Sequence, residues 1–146
     1  MENELRFRPA TINDAKLLLD WRNDPETRRQ SINSGEIKLE DHIKWLEKVL
    51  DNKDRKIMIA MIDDKPVGTV RLDIEEPYSE ISWTVAPSAR GQGIGARMVE
   101  EAVRIFEEPI KARIKPENFA SIKIAENAGF KKNTETSEIT EWILDR

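Results

Sequence analysis

The chain has 146 residues, enough for one hydrophobic core and too few for two of ordinary size, so a single domain over residues 1–146 is expected. Charged residues make up 36% of it, yet the net charge is only -4, which leaves no basic excess for a nucleic-acid backbone or an acidic membrane surface. With no cysteine, the sequence excludes disulfides, thiolate metal sites and an acyl-cysteine intermediate.

In chain order, Leu5 to Ala10 alternates Leu5, Phe7 and Pro9 with Arg6 and Arg8, which predicts a strand at a sheet edge, where proline costs no ladder bond. Thr11 followed by Asp14 is a capping-box-like start, and Ala15, Leu18, Leu19 and Arg22 recur at helical spacing through Trp21 until Asn23-Asp24-Pro25 ends the run. A second helix is predicted from Leu39 to Leu50, with Leu39, Ile43, Leu46 and Leu50 as its stripe and Trp45 and Val49 widening it. Ile57 to Ile62 is continuously apolar, as in a central buried strand, and Asp63-Asp64-Lys65 supplies its hairpin turn. Val70, Leu72 and Ile74 alternate on the way back. The next strand puts Ile81, Trp83 and Val85 on one face and Glu80, Ser82 and Thr84 on the other.

That strand runs into Val85-Ala86-Pro87-Ser88-Ala89-Arg90-Gly91-Gln92-Gly93-Ile94-Gly95-Ala96. Ile94, Met98, Ala102, Ile105 and Phe106 then form the stripe of a helix that Pro109 terminates, and Lys111 to Lys115 returns as a short strand. Asn118 caps a further helix through Ala128, Gly129 supplies its left-handed end, and Phe130 to Leu144 alternates like a final hairpin.

The segment from Val85 to Ala96 carries the most chemistry. Glycines at 91, 93 and 95 let successive amides turn into one concavity, and the positive end of the following helix adds to the attraction for a phosphate or pyrophosphate. It is not a Walker loop, because Gly95 is followed by Ala96 and Arg97 instead of Lys-Ser/Thr. It is not a dinucleotide fingerprint either, because Ala96 stands where the third glycine belongs and two hairpin strands come before it.

The spacing Arg90-x-x-Gly93-x-Gly95 after Val85-Ala86-Pro87 resembles the acetyl-CoA pyrophosphate loop of the GNAT family of N-acetyltransferases. Asn118 and Ser121, with Ala128-Gly129-Phe130 beyond them, resemble the family's second cofactor-contacting segment, so the resemblance spans nearly the whole chain. It implies an α/β (α+β) GNAT fold: a mixed central sheet of about seven strands flanked by about four helices, splayed at the strand before the loop. The cosubstrate implied is acetyl-CoA, its pantetheine arm beside Val85 and its pyrophosphate on the amides of Gln92, Gly93, Ile94, Gly95 and Ala96. Arg90 and Gly91 complete the loop, and Asn118 serves as helix cap and pantetheine contact together.

For the chemistry, the resemblance implies Glu80 as general base and the Val85 amide as the group that polarises the carbonyl. The family's frequent tyrosine acid falls on Ala125, the only tyrosine is Tyr78, and Ser121 is the nearest alternative. Trp21, Arg22, Asn23 and His42 lie in the helical region where the family builds acceptor specificity, and Trp21 with Arg22 suits a ligand that carries a ring and phosphates. This region most resembles the branch that acetylates a nucleotide-linked amino-sugar in pseudaminic acid synthesis. The ribosomal-protein N-terminal acetyltransferase branch shares much of the pattern. A small-molecule amine is therefore the expected acceptor, with a protein N-terminal amine or a non-catalytic acyl-CoA-binding module as alternatives.

His42 is the only histidine, without another histidine or a cysteine to share a metal, so no metal is expected. Met1 is followed by acidic and polar residues and no run approaches a membrane span, which suits a cytoplasmic monomer or homodimer.

Overall fold

The structure, a computed structural model, describes residues 3–146; Met1 and Glu2, on which the expectation for the N-terminus rests, lie outside the described residues. Strands β1 (Leu5–Pro9), β2 (Arg55–Ile62), β3 (Lys65–Asp73), β4 (Ser79–Val85), β5 (Ile110–Ile114), β6 (Lys131–Glu135) and β7 (Thr140–Leu144) form one seven-stranded sheet. Its order is β1-β2-β3-β4-β5-β7-β6, antiparallel throughout except where β4 meets β5. Among the described residues the α-helices are α1 (Ala15–Asn23), α2 (Pro25–Gln30), α3 (Leu39–Leu50), α4 (Ile94–Ile105) and α5 (Phe119–Asn127). The mixed sheet is the expected one, with five helices in place of about four.

The additional helix is α2. Pro25 stops α1 as expected and also starts α2, because proline at a first helical position gives up an N–H that has no partner there anyway. Asp24 caps the new helix by accepting from the Thr27 amide at 3.1 Å. Before α1, the Thr11 amide donates to Asp14 Oδ2 at 2.8 Å, and Arg8 holds both oxygens of the same carboxylate at 2.8 and 2.9 Å. That turn is a 3-10 segment over Ile12–Asp14, so α1 begins four residues after Thr11. The β2–β3 turn places Asp63 and Asp64 at φ 52 and 60, the left-handed pair that a two-residue hairpin loop requires.

The β3–β4 register divides the sheet into two unlike faces. Gly68, Val70 and Leu72 stand opposite Val85, Trp83 and Ile81, while Thr69, Arg71 and Asp73 stand opposite Thr84, Ser82 and Glu80. Helix α4 covers the first face with Met98, Val99 and Ala102, and these residues, Val70 and Leu72 are all fully buried. The valine, leucine and methionine side chains among them each stabilise the fold by roughly 1.5–3 kcal/mol relative to exposure. Ile105, expected in the stripe of α4, is 49% exposed, and Val99 takes the core position instead. Gly68 lets α4 lie directly on the sheet: a Cβ there would stand 2.6 Å from Met98 Sδ and 2.7 Å from the Thr84 carbonyl oxygen. Helices α1 and α3 lie over the second face, where Trp45 of α3 carries the guanidinium groups of Arg55 and Arg71 at 5.9 and 5.8 Å from its ring.

Candidate active site

Strand β4 separates two adjoining spaces, a gap in the sheet and a cavity under the α1–α3 layer. The gap exists because β4 and β5 pair only through Ser79↔Ile110 and Glu80↔Lys111, after which the two parallel strands diverge. Along β4, the Ser79 amide donates toward β5, to the Pro109 carbonyl, and the Ala86 amide donates toward β3, to the Val67 carbonyl. Backbone direction alternates along a strand, so Trp83 and Val85 present their polar groups to the gap. Val85 therefore lies where an extended ligand arm can pair with it.

Beyond Val85, Gly91 and Gly93 adopt φ 76 and 72, and added Cβ atoms at either would meet nothing within 4 Å. The glycines here are required by backbone conformation, and the space above them is open. Gly93 caps α4, whose first amides have no acceptor within the helix and point into that space with the positive end of the dipole. Gly95 is a glycine for another reason: its Cβ would stand 3.0 Å from Ile124 and 3.2 Å from Val85, so it lets α4 approach β4 and α5 together. Gln92, Gly93, Ile94, Gly95 and Ala96 thus form a cradle of backbone amides at the mouth of the gap, a geometry that can receive an anion.

Arg90 does not hang free beside this cradle. It donates to the Asp24 carboxylate and, at 3.0 Å, to Thr27 Oγ1, tying the loop to the start of α2; this contact lowers the Asp24 pKa. On the opposite lip, Lys115 Nζ donates at 2.6 Å to the carbonyl of Arg29 in α2, so the short helix missed in the sequence bridges the mouth of the gap. Asn118 caps α5 by accepting from the Ser121 amide at 3.3 Å, and its Nδ2 makes no hydrogen bond among the described residues. The next residue, Phe119, is 76% exposed.

The cavity has a volume of about 450 Å³. Trp21, Arg22, His42 and Trp45 line it from the helices, Thr69 and Arg71 from β3, and Ser82, Trp83 and Thr84 from β4. Trp21, Arg22 and His42, expected together in the acceptor region, all line this cavity, whereas Arg71 and the polar β4 residues were not among the expected residues. The available signal was polar alternation in β3 and β4 on a face that two helices cover. Asn23 does not line the cavity: both ends of its amide hold the Ile37 backbone, at 2.8 and 2.9 Å, and through it one wall. His42 is buried, with Nε2 unpartnered among the described residues, and burial presses its pKa down, so the ring is neutral at pH 7.

Glu80 lies on the cavity face of β4, one step below Ser82, outside the lining. Arg113 Nε donates to its carboxylate at 2.8 Å, which raises the Arg113 pKa. Ala125 is fully buried in α5, and the Tyr78 hydroxyl is committed to Asp145 at 2.7 Å. Among the described residues no helix is long and apolar enough to cross a membrane, and no group of three or more acidic or histidine side chains is placed to hold a metal.

A mixed sheet splayed beside a central strand, with an anion cradle at the end of that strand, defines an acyltransferase architecture. Residues 4–131 match the acetyltransferase (GNAT) domain, and the chain belongs to that family. It is 29% identical over 157 aligned positions to the uncharacterized protein MJ1062 of Methanocaldococcus jannaschii, an alignment that takes in 99% of this chain and 31% of that protein. The chain thus spans about a third of the length of the curated relative it matches. A crystal structure of a domain from Methanocaldococcus jannaschii superposes with a TM-score of 0.86 at 25% identity, covering 99% of this chain and 100% of that one. An aminoglycoside acetyltransferase, AAC(6')-Ib, in complex with coenzyme A and kanamycin gives a TM-score of 0.80 at 21% identity, covering 98% and 95%.

Proposed function

We propose that this single domain transfers an acetyl group from acetyl-CoA to the amine of a small acceptor, with an amino-sugar joined to a nucleotide as the leading acceptor. The observation that carries this reading is that β4 serves both spaces at once: Val85 and Trp83 face the gap with their backbone, while Ser82 and Thr84 line the cavity. A thioester laid along the gap and an amine seated in the cavity would meet at the end of this strand.

The residues fit the cosubstrate. Unobstructed glycines at 91 and 93 and the orphan amides of α4 suit a pyrophosphate, Asn118 Nδ2 is available to a pantetheine amide, and Phe119 offers a face to an adenine ring. Acetyl-CoA supplies an activated acetyl thioester. The Val85 amide donates to the carbonyl oxygen, which gains negative charge as the amine adds. Glu80 takes the amine proton through a water, since it lies outside the cavity lining with Arg113 on its carboxylate. Ser121 or water returns a proton to the departing thiolate. The two tryptophans that the helices bring to the cavity, Trp21 and Trp45, give an acceptor ring flat surfaces to lie against.

The resemblance to the amino-sugar branch supports the leading acceptor, and the N-terminal acetyltransferase branch supplies the alternative, a peptide amine. Acetyl-CoA-dependent thiol release across UDP-linked amino-sugars, free amino-sugars, polyamines and N-terminal peptides tests both. Release with a UDP amino-sugar is expected; release with peptides alone would replace the leading acceptor by the alternative.

A further inference from the structure

The cavity carries more positive charge than its own carboxylates balance. Arg22 Nη2 donates to the Asn33 carbonyl, while Nη1 is buried without a partner among the described residues. A buried guanidinium N–H left unmade is costly, and most such groups in folded proteins are matched. No acidic side chain pairs with Arg22 among the described residues, and burial, followed by the charges of Arg28 and Arg71, presses its pKa down.

Arg71 faces the same cavity from β3. Its counter-charge is shared: Asp73 sits 3.6 Å from Arg71 Nε and 3.1 Å from Arg55 Nε, so one carboxylate serves two guanidinium groups. The remaining acid on the wall is Asp41, in the first turn of α3 and exposed to solvent. Two arginines from separate elements therefore converge on a space that a ligand can enter, and one of them holds an unused, desolvated donor.

We infer that Arg22 and Arg71 form an anion-binding pair that selects an amine acceptor carrying a phosphoryl group and rejects polycationic amines. This rests on the acetyltransferase reading above and adds the pair of residues that would recognise the acceptor by its phosphoryl group. Arginine suits phosphoryl oxygens because its planar fork donates two parallel N–H groups, and the free Nη1 is such a donor. Asp41, the cavity's other charged wall residue, is placed to receive the ammonium end of the same molecule. A polyamine or an amine-rich glycoside offers the arginines only like charge.

The test is calorimetric titration of UDP, and separately of inorganic pyrophosphate, into protein already saturated with CoA. Saturation is essential, because the glycine cradle is itself an anion site. The wild type should bind UDP under these conditions, and Arg22→Gln should bind it at least tenfold more weakly while its CoA affinity and thermal midpoint stay unchanged. Arg71→Lys, which keeps the charge and removes the fork, should weaken UDP binding severalfold. Pyrophosphate binding as tightly as UDP assigns the recognition to a bare phosphoryl group; UDP binding alone assigns it to a nucleotide, and both outcomes support the pair. UDP binding that vanishes when CoA saturates, or that Arg22→Gln leaves intact, overturns it. A protein that fails to bind CoA fails the acetyltransferase reading instead, and the Arg22→Gln comparison in CoA-free protein still decides the arginine pair.

Discussion

The two faces of the central sheet are built in opposite ways. On the α4 face, Val70, Leu72 and Ile81 are sealed against Met98 and Val99, and the ligand-facing groups are backbone amides fixed by that packing. On the α1–α3 face, the same two strands present Thr69, Arg71, Ser82 and Thr84 to a cavity, where the exposed polar groups are side chains. A backbone cradle depends on where the chain runs and tolerates many side chains, whereas a side-chain cavity can be respecified by single substitutions. The first arrangement suits a ligand common to a whole family, and the second suits one that differs between members.

If this division holds, damage to one face should spare the other. Gly93→Val should have the largest effect: a left-handed valine costs ~1–2 kcal/mol and its branches fill the cradle, which together should weaken CoA binding about 100-fold. UDP binding to the cavity should stay within a factor of two, measured by the same calorimetry, and a joint loss would show that the faces are coupled. Glu80→Gln tests the point where both faces meet. With Glu80 as base, kcat should fall roughly 100-fold or more with CoA affinity intact; a lower thermal midpoint at unchanged kcat would leave it only as the partner of Arg113.

Asp24→Asn addresses the strap across the gap. Asparagine retains the cap oxygen for the Thr27 amide and loses only the charge that Arg90 meets, so stability should drop by less than about 1 kcal/mol. CoA affinity should rise as Arg90 is freed for phosphate, and unchanged affinity would limit Arg90 to holding α2. The smallest effect is expected from His42. Its folded-state pKa lies below the unfolded value, so the unfolded chain binds more protons as pH falls below about 6.5, and stability declines there and is restored above it. In urea melts His42→Gln should flatten that decline between about pH 6.5 and 5, while the loss tied to Asp14 and Asp24, whose pKa values are lowered, begins only below about pH 4.

The same contrast explains what was legible in the sequence. The cradle was, because Gly91, Gly93 and Gly95 are demanded by backbone conformation and close packing, and such demands leave a fixed local spacing. The gap was legible by resemblance, and the limited β4–β5 register shows it. The cavity was half legible: Trp21, Arg22 and His42 were named from their helices, but Arg71 was passed over as a polar neighbour in the alternation of Val70, Leu72 and Ile74. Alternation states which residues share a face and is silent on whether a helix covers it. Helix α2 was hidden because Pro25 was read as a terminator, although the same ring is well suited to a first turn.

Gly68 touches no part of the cradle, yet it helps decide where the cradle is. It occupies the place where α4 rests on the sheet, and a single added carbon would collide with Met98 and with the backbone of β4. Relief would come by lifting the helix, and the loop that opens that helix would be carried with it. An absent methyl group is thus one of the site's dimensions, and a residue outside the glycine loop sets how closely that loop approaches β4.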